Sequence, residues 1–157
     1  MTRSRSIFVG CASALLVAAC GAGPDGTAGD ATAASAVRVG IQVTEAWARP
    51  ADSGATSAAY LVLANRGVMA DTVVGIVTEA AESASVHETR QHEGTMHMAA
   101  LPSVAVPPGA TVTLAPLGTH VMLLRLRRAL RAGDTAAFAF VLSSGDTVPV
   151  RAVTRAP

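Results

Sequence analysis

The segment HETRQHEGTMHMAALPSVAVPPGATVTLAPLGTHVM, from His87 to Met122, decides the fold of this chain. It contains short runs in which apolar and polar residues alternate, separated by turn sequences such as EG, PPGA and LG. Alternation with a period of two predicts β-strands with one buried face, and Gly and Pro mark the turns between them. The segment also holds all four histidines and three of the five methionines of the chain. We therefore expect β-strands that also carry the chemistry.

The same pattern continues on both sides of this segment. Apolar or alternating runs follow one another from Val37 onwards, and we find no long helical repeat and no internal repeat. Eight or nine short strands joined by Gly- and Pro-containing turns predict an all-β fold, an antiparallel sandwich or barrel. The chain of 157 residues has the length of a single domain. The runs are VRVGIQV, AAYLVLAN, DTVVGIVTE, ASVHET, TMHMA, TVTLA, THVMLLRL, TAAFAFVL and VPVRAV.

The first twenty residues are typical of an export signal. Two arginines precede an apolar run from Ile7 to Ala19, which is too short to span a bilayer as a helix. The ending LVAAC resembles the bacterial lipoprotein box, after which Cys20 becomes the first mature residue and carries lipid. A plain secretory signal cleaved nearby is the alternative. Either signal predicts export, and the lipoprotein box predicts a periplasmic or other extracytoplasmic protein anchored in a membrane through Cys20.

The mature chain divides into a tether and a domain. Residues 21–36 lack large apolar side chains and are rich in Gly, Pro and Asp, which predicts a flexible tether with a reach of roughly 20–25 Å. Residues 37–157 form the predicted β-domain. Because Cys11 would be lost with the signal and Cys20 would be acylated, the domain has no thiol to act as ligand or nucleophile.

Composition argues against binding to nucleic acid. The formal net charge is +1, and the chain has only one Trp, one Tyr and three Phe. Phosphate binding needs an excess of basic residues, and base stacking needs an aromatic platform. We expect neither a nucleic-acid partner nor a membrane contact other than the lipid anchor.

The first pair of donors is predicted to lie on a hairpin. If a four-residue loop, Gln91 to Gly94, closes the runs around it, His87 faces Met98 across the two strands. Met96 then lies on the same face and His97 on the other. A soft sulfur and a ring nitrogen would therefore share one surface.

The second pair lies within a single strand. His120 and Met122 are two residues apart, so both point to one face, and Leu124 and Leu126 are expected to continue that face. The donors would then sit at the rim of an apolar interior. Thioethers favour Cu(I), whereas a blue-copper centre needs a Cys thiolate that the mature domain lacks. Taken singly, however, Met is commonly core filler and His a satisfied polar residue, so the residues alone leave both interpretations open.

The complete spacing resembles a known family. His87, Met98, His120 and Met122 match the H-x10-M-x21-H-x-M signature of the periplasmic copper chaperones of the PCu(A)C type. The runs AWARP, AAYLVLAN, VHET, HVMLLRLRRAL and GDT also look like landmarks of that family, and the resemblance covers residues 37–153.

This resemblance implies a cupredoxin-like Greek-key β-fold that binds one Cu(I) through the four matching residues. It also implies delivery to the copper A centre of cytochrome c oxidase, with subunit II or a Sco-type protein as acceptor. Copper scavenging or storage is the alternative function. The sequence departs from many members in its predicted lipid anchor and in ending at VTRAP, without a Met- and His-rich tail, so a second copper site is not carried over.

Other residues leave two interpretations open. Met96 is either an auxiliary sulfur donor or filler beside the site, and Trp47 is either core or a wall of the site. His92 and His97 are either weak metal donors or solvated polar residues. We expect no enzyme, because no acid, base or nucleophile constellation accompanies these residues; a binding module without metal would leave the four donors unexplained. A third set is either a docking patch or a solvated strand end: Arg125, Arg127, Arg128 and Arg131.

Overall fold

A computed structural model describes residues 40–92 and 94–156. The predicted signal, residues 1–20 with Cys20, and the tether, residues 21–36, lie outside the described residues. Within the described ranges all regular structure is β, which confirms the all-β prediction, and no helix there could cross a membrane. The strands are β1 (Ile41–Ala48), β2 (Ser57–Asn65), β3 (Asp71–Thr78), β4 (Ala81–His92), β5 (Thr95–Leu101), β6 (Val104–Val106), β7 (Thr111–Leu114), β8 (Thr119–Leu126), β9 (Thr135–Leu142) and β10 (Thr147–Thr154).

The ten strands form one continuous, folded sheet. Their order is β5-β4-β8-β2-β1-β10-β9-β3-β6, and β7 pairs with β2 beside this path. All pairs are antiparallel except β1 with β10. Neighbours in the sheet are often distant in sequence, as Greek-key connections require. The strand absent from the sequence prediction is β6, only three residues long and paired with β3.

Alternating side chains of the sheet fill the core. In β10 every second residue is buried, and β9 contributes Phe138 and Phe140, whose rings meet edge to face at 5.6 Å. The strands β3 and β4 touch although they are far apart in the sheet order, so the sheet closes on itself. The face of each strand that lies inside the folded sheet is thus mostly apolar.

Strand β8 shows which face carries the predicted donors. Val121 and Leu123 are fully buried in the core, so His120 and Met122 project from the opposite face. The prediction that Leu126 shares the face of His120 was wrong. Arg125 has a φ of 52°, and this irregularity shifts the alternation by one residue and turns Leu126 into the core. The donors therefore lie on the outer face of the sheet rather than at the rim of its interior.

Candidate metal centre

The two predicted histidines meet across neighbouring strands. Antiparallel pairing of β4 with β8 places His87 directly opposite His120, with ring centroids 6.3 Å apart and ring planes tilted by 32°. An ion midway between the rings would lie about 3 Å from each centroid, which is compatible with the usual metal–imidazole nitrogen distance of about 2 Å. The strand pairing alone thus brings two nitrogen donors to a spacing that one ion can bridge.

The β4–β5 hairpin differs in register from the prediction. His92 pairs with Thr95, so two residues rather than four form the turn, and Gly94 has a φ of 78°. Two-residue turns match the twist of the flanking strands when the turn residues can adopt positive φ. Met98 consequently faces Thr89, and His87 faces Ala100.

This shift by two residues leaves the faces unchanged, because side chains alternate with a period of two. Met96 and Met98 remain on the face of His87, as predicted, and His97 remains on the other. The thioethers of the hairpin therefore still lie on the face of the sheet that carries His120.

A pocket of about 490 Å³ joins the donors of the hairpin to those of β8. His120, which is 6% exposed, lies deep in this pocket, whereas Met98 is 55% exposed. Met122 also lines the pocket and is half-buried. His87 flanks the pocket through its contact with His120. The pocket is lined by Arg49, Pro50, Thr56, Ser57, Ala58, Tyr60, Thr89, Met96, Met98, Leu117, His120 and Met122.

Hydrogen bonds leave a ring nitrogen free on His120. Its Nδ1 lies 2.9 Å from the carbonyl oxygen of Gly118, and because a carbonyl only accepts, Nδ1 carries the proton. In the neutral tautomer that this hydrogen bond selects, Nε2 offers its lone pair to a metal. Donation of the second ring N–H to a backbone carbonyl is the usual arrangement of metal-binding histidines.

The environment favours the neutral form of His87. Burial lowers the pKa of His87 from its ordinary value, and repulsion from His120 lowers it further. Only a neutral imidazole has a lone pair to offer a metal. The lowered pKa of His87 thus reduces competition from protons for its metal-binding nitrogen.

Aromatic side chains flank the pocket, and the central one, Tyr60, was not predicted from the sequence. The ring of Tyr60 lies 6.2 Å from that of His120, and Trp47 packs on Tyr60 at 4.5 Å. The guanidinium of Arg155 lies 4.8 Å from the centroid of Trp47. Trp47 is half-buried and outside the core cluster, so it is not a core residue, and it borders the site only through its contact with Tyr60. Leu61 and Leu63 share one parity in the run AAYLVLAN and Tyr60 has the other, but the run is apolar almost throughout, so its sequence does not tell which parity faces outward.

The remaining candidates lie at the periphery. Met96 lines the pocket and is 49% exposed, which places it beside the site rather than in the core. His92 and His97 are exposed. Arg125 pairs with Glu82 and Arg128 with Asp134, and exposed pairs of this kind contribute little to stability.

The donor set itself restricts the metal. In the described parts of the chain, 40–92 and 94–156, no three His, Cys, Asp or Glu side chains lie together as ligands of one ion. The soft donors that line the pocket are the thioethers of Met96, Met98 and Met122, and thioether favours Cu(I) over zinc.

Comparison with known proteins agrees with this fold. The family model "Putative lipoprotein LpqE-like" matches residues 41–154. The protein "Putative lipoprotein Lxx21020" of Leifsonia xyli subsp. xyli (strain CTCB07) is 39% identical over 112 residues, which are 71% of this chain and 67% of the relative.

Two solved structures have the same architecture. The apo PCuAC domain from PmoF1 is 28% identical, with a TM-score of 0.61 over 75% of this chain and 95% of that domain. The copper(I) form of DR1885 from Deinococcus radiodurans is 30% identical, with a TM-score of 0.54 over 78% of this chain and 85% of DR1885. The cupredoxin-like fold and the resemblance to PCu(A)C proteins, both stated from the sequence, are confirmed.

Proposed function

The chain belongs to the family of LpqE-like lipoproteins, and from this premise we propose that it is an extracytoplasmic copper(I) chaperone anchored to a membrane. It binds one Cu(I) through His87, Met98, His120 and Met122. One observation carries the proposal: three of these side chains line a single pocket, and the fourth, His87, lies opposite His120 at 6.3 Å.

The chemistry of these donors supports Cu(I) as the cargo. Two neutral imidazoles and two thioethers form a soft, uncharged ligand set, which suits a soft monovalent ion. The copper(I) form of DR1885, whose fold this chain shares at 30% identity, supports the same metal. A site without thiolate also avoids the oxidation that cysteine ligands undergo outside the cytoplasm.

The layout of the pocket supports transfer rather than permanent storage. His120 is almost fully buried, while Met98 is half-exposed at the mouth. An approaching acceptor can therefore displace the outer thioether first, and a neutral thioether leaves without taking up a proton. We propose the copper A centre of cytochrome c oxidase as the destination, with subunit II or a Sco-type protein as acceptor. This step rests on the resemblance to the PCu(A)C chaperones.

A binding role, not catalysis, is our proposal for the pocket. The carboxylate closest in sequence to the donors, Glu88, forms an ion pair with Arg90 at 2.6 Å and lies on the opposite face of β4. The anchor is proposed to be the lipid on Cys20. The name of the relative from Leifsonia xyli supports lipoprotein character.

Anaerobic titration of the purified chain with Cu(I) tests copper binding. A competing chelator gives the affinity, and X-ray absorption reports the ligands. We expect one equivalent with mixed nitrogen and sulfur scatterers. Met98→Ala should weaken binding by more than the roughly 10–100-fold that loss of an outer partner costs.

Met69→Ala is the matched control. Met69 is 76% exposed in the loop between β2 and β3, and only its backbone carbonyl is used, by Asn65. Its replacement should leave the copper affinity unchanged. Equal losses in both variants would trace the effect to folding and contradict the ligand assignment.

Delivery is tested by offering the copper-loaded chain an excess of the apo copper A fragment of oxidase subunit II. We expect Cu(I) to move to the fragment at neutral pH. Retention of copper by the chain would contradict delivery and favour the alternative, scavenging or storage.

A further inference from the structure

His87 forms a hydrogen bond with a neighbouring residue, Ser85, that is not among the proposed copper ligands. The hydroxyl oxygen of Ser85 lies 3.0 Å from Nε2 of His87. The two residues are two positions apart on β4, so both project onto the outer face that carries the pocket. Ser85 is half-buried and pairs with Met122 of β8.

The two histidines of the site differ in the atom that is hydrogen-bonded. In His120 it is Nδ1, and the partner is a carbonyl that can only accept. In His87 it is Nε2, and the partner is a hydroxyl that can donate or accept. The protein therefore fixes the tautomer of His120 by itself, while the tautomer of His87 depends on what binds to the ring.

Building on the proposed copper site, we infer that Ser85 is a positioning residue that accepts the Nε2–H of His87 and so presents Nδ1 to the metal. Nδ1 of His87 can bind a cation only when the proton resides on Nε2, and that proton then requires an acceptor. Ser85 supplies it at 3.0 Å. The site thus takes Nδ1 from His87 and Nε2 from His120.

The hydrogen bond also restricts rotation of the His87 ring. A ring already held in place loses less conformational freedom when the metal binds, which strengthens binding. Ser85 suits this task because its short side chain has a single rotatable bond and its strand is paired on both sides, with β5 and with β8. Met122 and the His87–Ser85 pair consequently occupy adjacent positions on the same face.

The binding atoms can be read directly. NMR of the full chain with ¹⁵N-labelled imidazoles, in detergent and loaded with Cu(I), identifies the coordinated nitrogen of each ring from its chemical shift. We expect Nδ1 for His87 and Nε2 for His120. Coordination of His87 through Nε2 would overturn the inference while leaving copper binding intact.

Variants test the hydroxyl. Ser85→Ala should weaken Cu(I) binding by about 10–100-fold, the range for loss of an outer-shell partner. It should also leave His87 bound through a mixture of both nitrogens. Ser85→Thr keeps the hydroxyl on a residue that suits a strand, and should restore both the affinity and the single signal.

Ser83→Ala is the control on the same strand, since Ser83 is exposed and pairs with Leu124. Its Cu(I) affinity and its ¹⁵N spectrum should match those of the wild type. A Ser85→Ala variant with unchanged affinity and an unchanged ¹⁵N spectrum would refute the inference. If Ser85→Ala fails to fold, the nitrogen assignment in the wild type and in Ser85→Thr decides the question. Failure of the wild type to bind any Cu(I) would instead overturn the proposed function.

Discussion

In strand β8, residues that face the core alternate with residues that face the pocket. Substitutions at two adjacent positions, one of each kind, therefore test which residues stabilise the fold and which bind the metal. Leu123 is fully buried in the core, whereas Met122, its neighbour, is half-buried on the pocket face. We predict that Leu123→Ala lowers the stability of the domain and leaves the copper ligands in place. Met122→Ala should remove a copper ligand and lower the stability much less.

The magnitudes follow from burial. Leu123→Ala removes three buried carbon atoms, worth about 2 kcal/mol in transfer from water, and the remaining cavity raises the loss in the free energy of unfolding to about 3 kcal/mol. For a domain of this size the midpoint of thermal unfolding should fall by roughly 10–15 °C. Met122→Ala should lower the free energy of unfolding by about 1 kcal/mol, because only part of the Met122 side chain is buried.

Circular dichroism during heating, on the copper-free proteins, gives the stability of each variant. Chelator competition at 10 °C, where both remain folded, gives the Cu(I) affinity. Leu123→Ala should retain one equivalent of Cu(I) with near-normal affinity, and Met122→Ala should lose most of its affinity. If Met122→Ala destabilises the fold more than Leu123→Ala does, the assignment of the two faces of β8 is wrong.

Four further outcomes are expected. Copper affinity should fall as the pH drops below 6.5, the ordinary histidine value, because protons then compete with the metal for His87, whose pKa is lowered by burial and by repulsion from His120. Chelator competition between about pH 5 and 8 measures this, and an affinity that stays constant over that range would contradict it. The lowered pKa of His87 also makes the copper-free fold less stable as the pH falls below 6.5, since His87 of the unfolded chain then binds more protons than His87 of the folded chain. Denaturant titration at about pH 8 and at about pH 5 measures this difference in stability. Cys20→Ala should move the protein from the membrane to the soluble fraction at unchanged copper affinity, and a variant that stays membrane-bound would exclude the lipid anchor. His120→Ala should load poorly and transfer little copper in the subunit II assay, whereas wild-type loading would show that His120 is no ligand.

Local pattern was sufficient to predict which face each donor occupies. Side chains alternate strictly along a strand, so the parity of Met96 and Met98 relative to His87 survived an error of two residues in the hairpin register. The error itself arose in the turn, where the sequence allows either a two- or a four-residue loop with Gly94 at positive φ. Parity is a local property, but register depends on the turn and on the whole sheet.

The alternation of residues along single strands could not predict which distant strands pair. Pairing of β4 with β8 puts His87 opposite His120, although the two are 33 positions apart along the chain. Nothing in either run specifies that partner. The irregularity at Arg125 was equally hidden, because a non-glycine residue with a φ of 52° has no sequence signature, and it misplaced Leu126. The family spacing supplied the non-local information that physical reasoning from single strands lacked.

The position of the site on the outer face explains how a copper carrier can survive the loss of its cargo. Structural zinc sites tie the fold together, and their proteins unfold when the metal is removed. Here the donors lie on β4, β5 and β8, which backbone pairing already joins, and the core residues of β8 point the other way. Removing the ion therefore leaves the strands paired and the core filled. The pairing of β4 with β8 by itself keeps His87 and His120 facing each other at 6.3 Å, so the chain can take up the next ion without refolding.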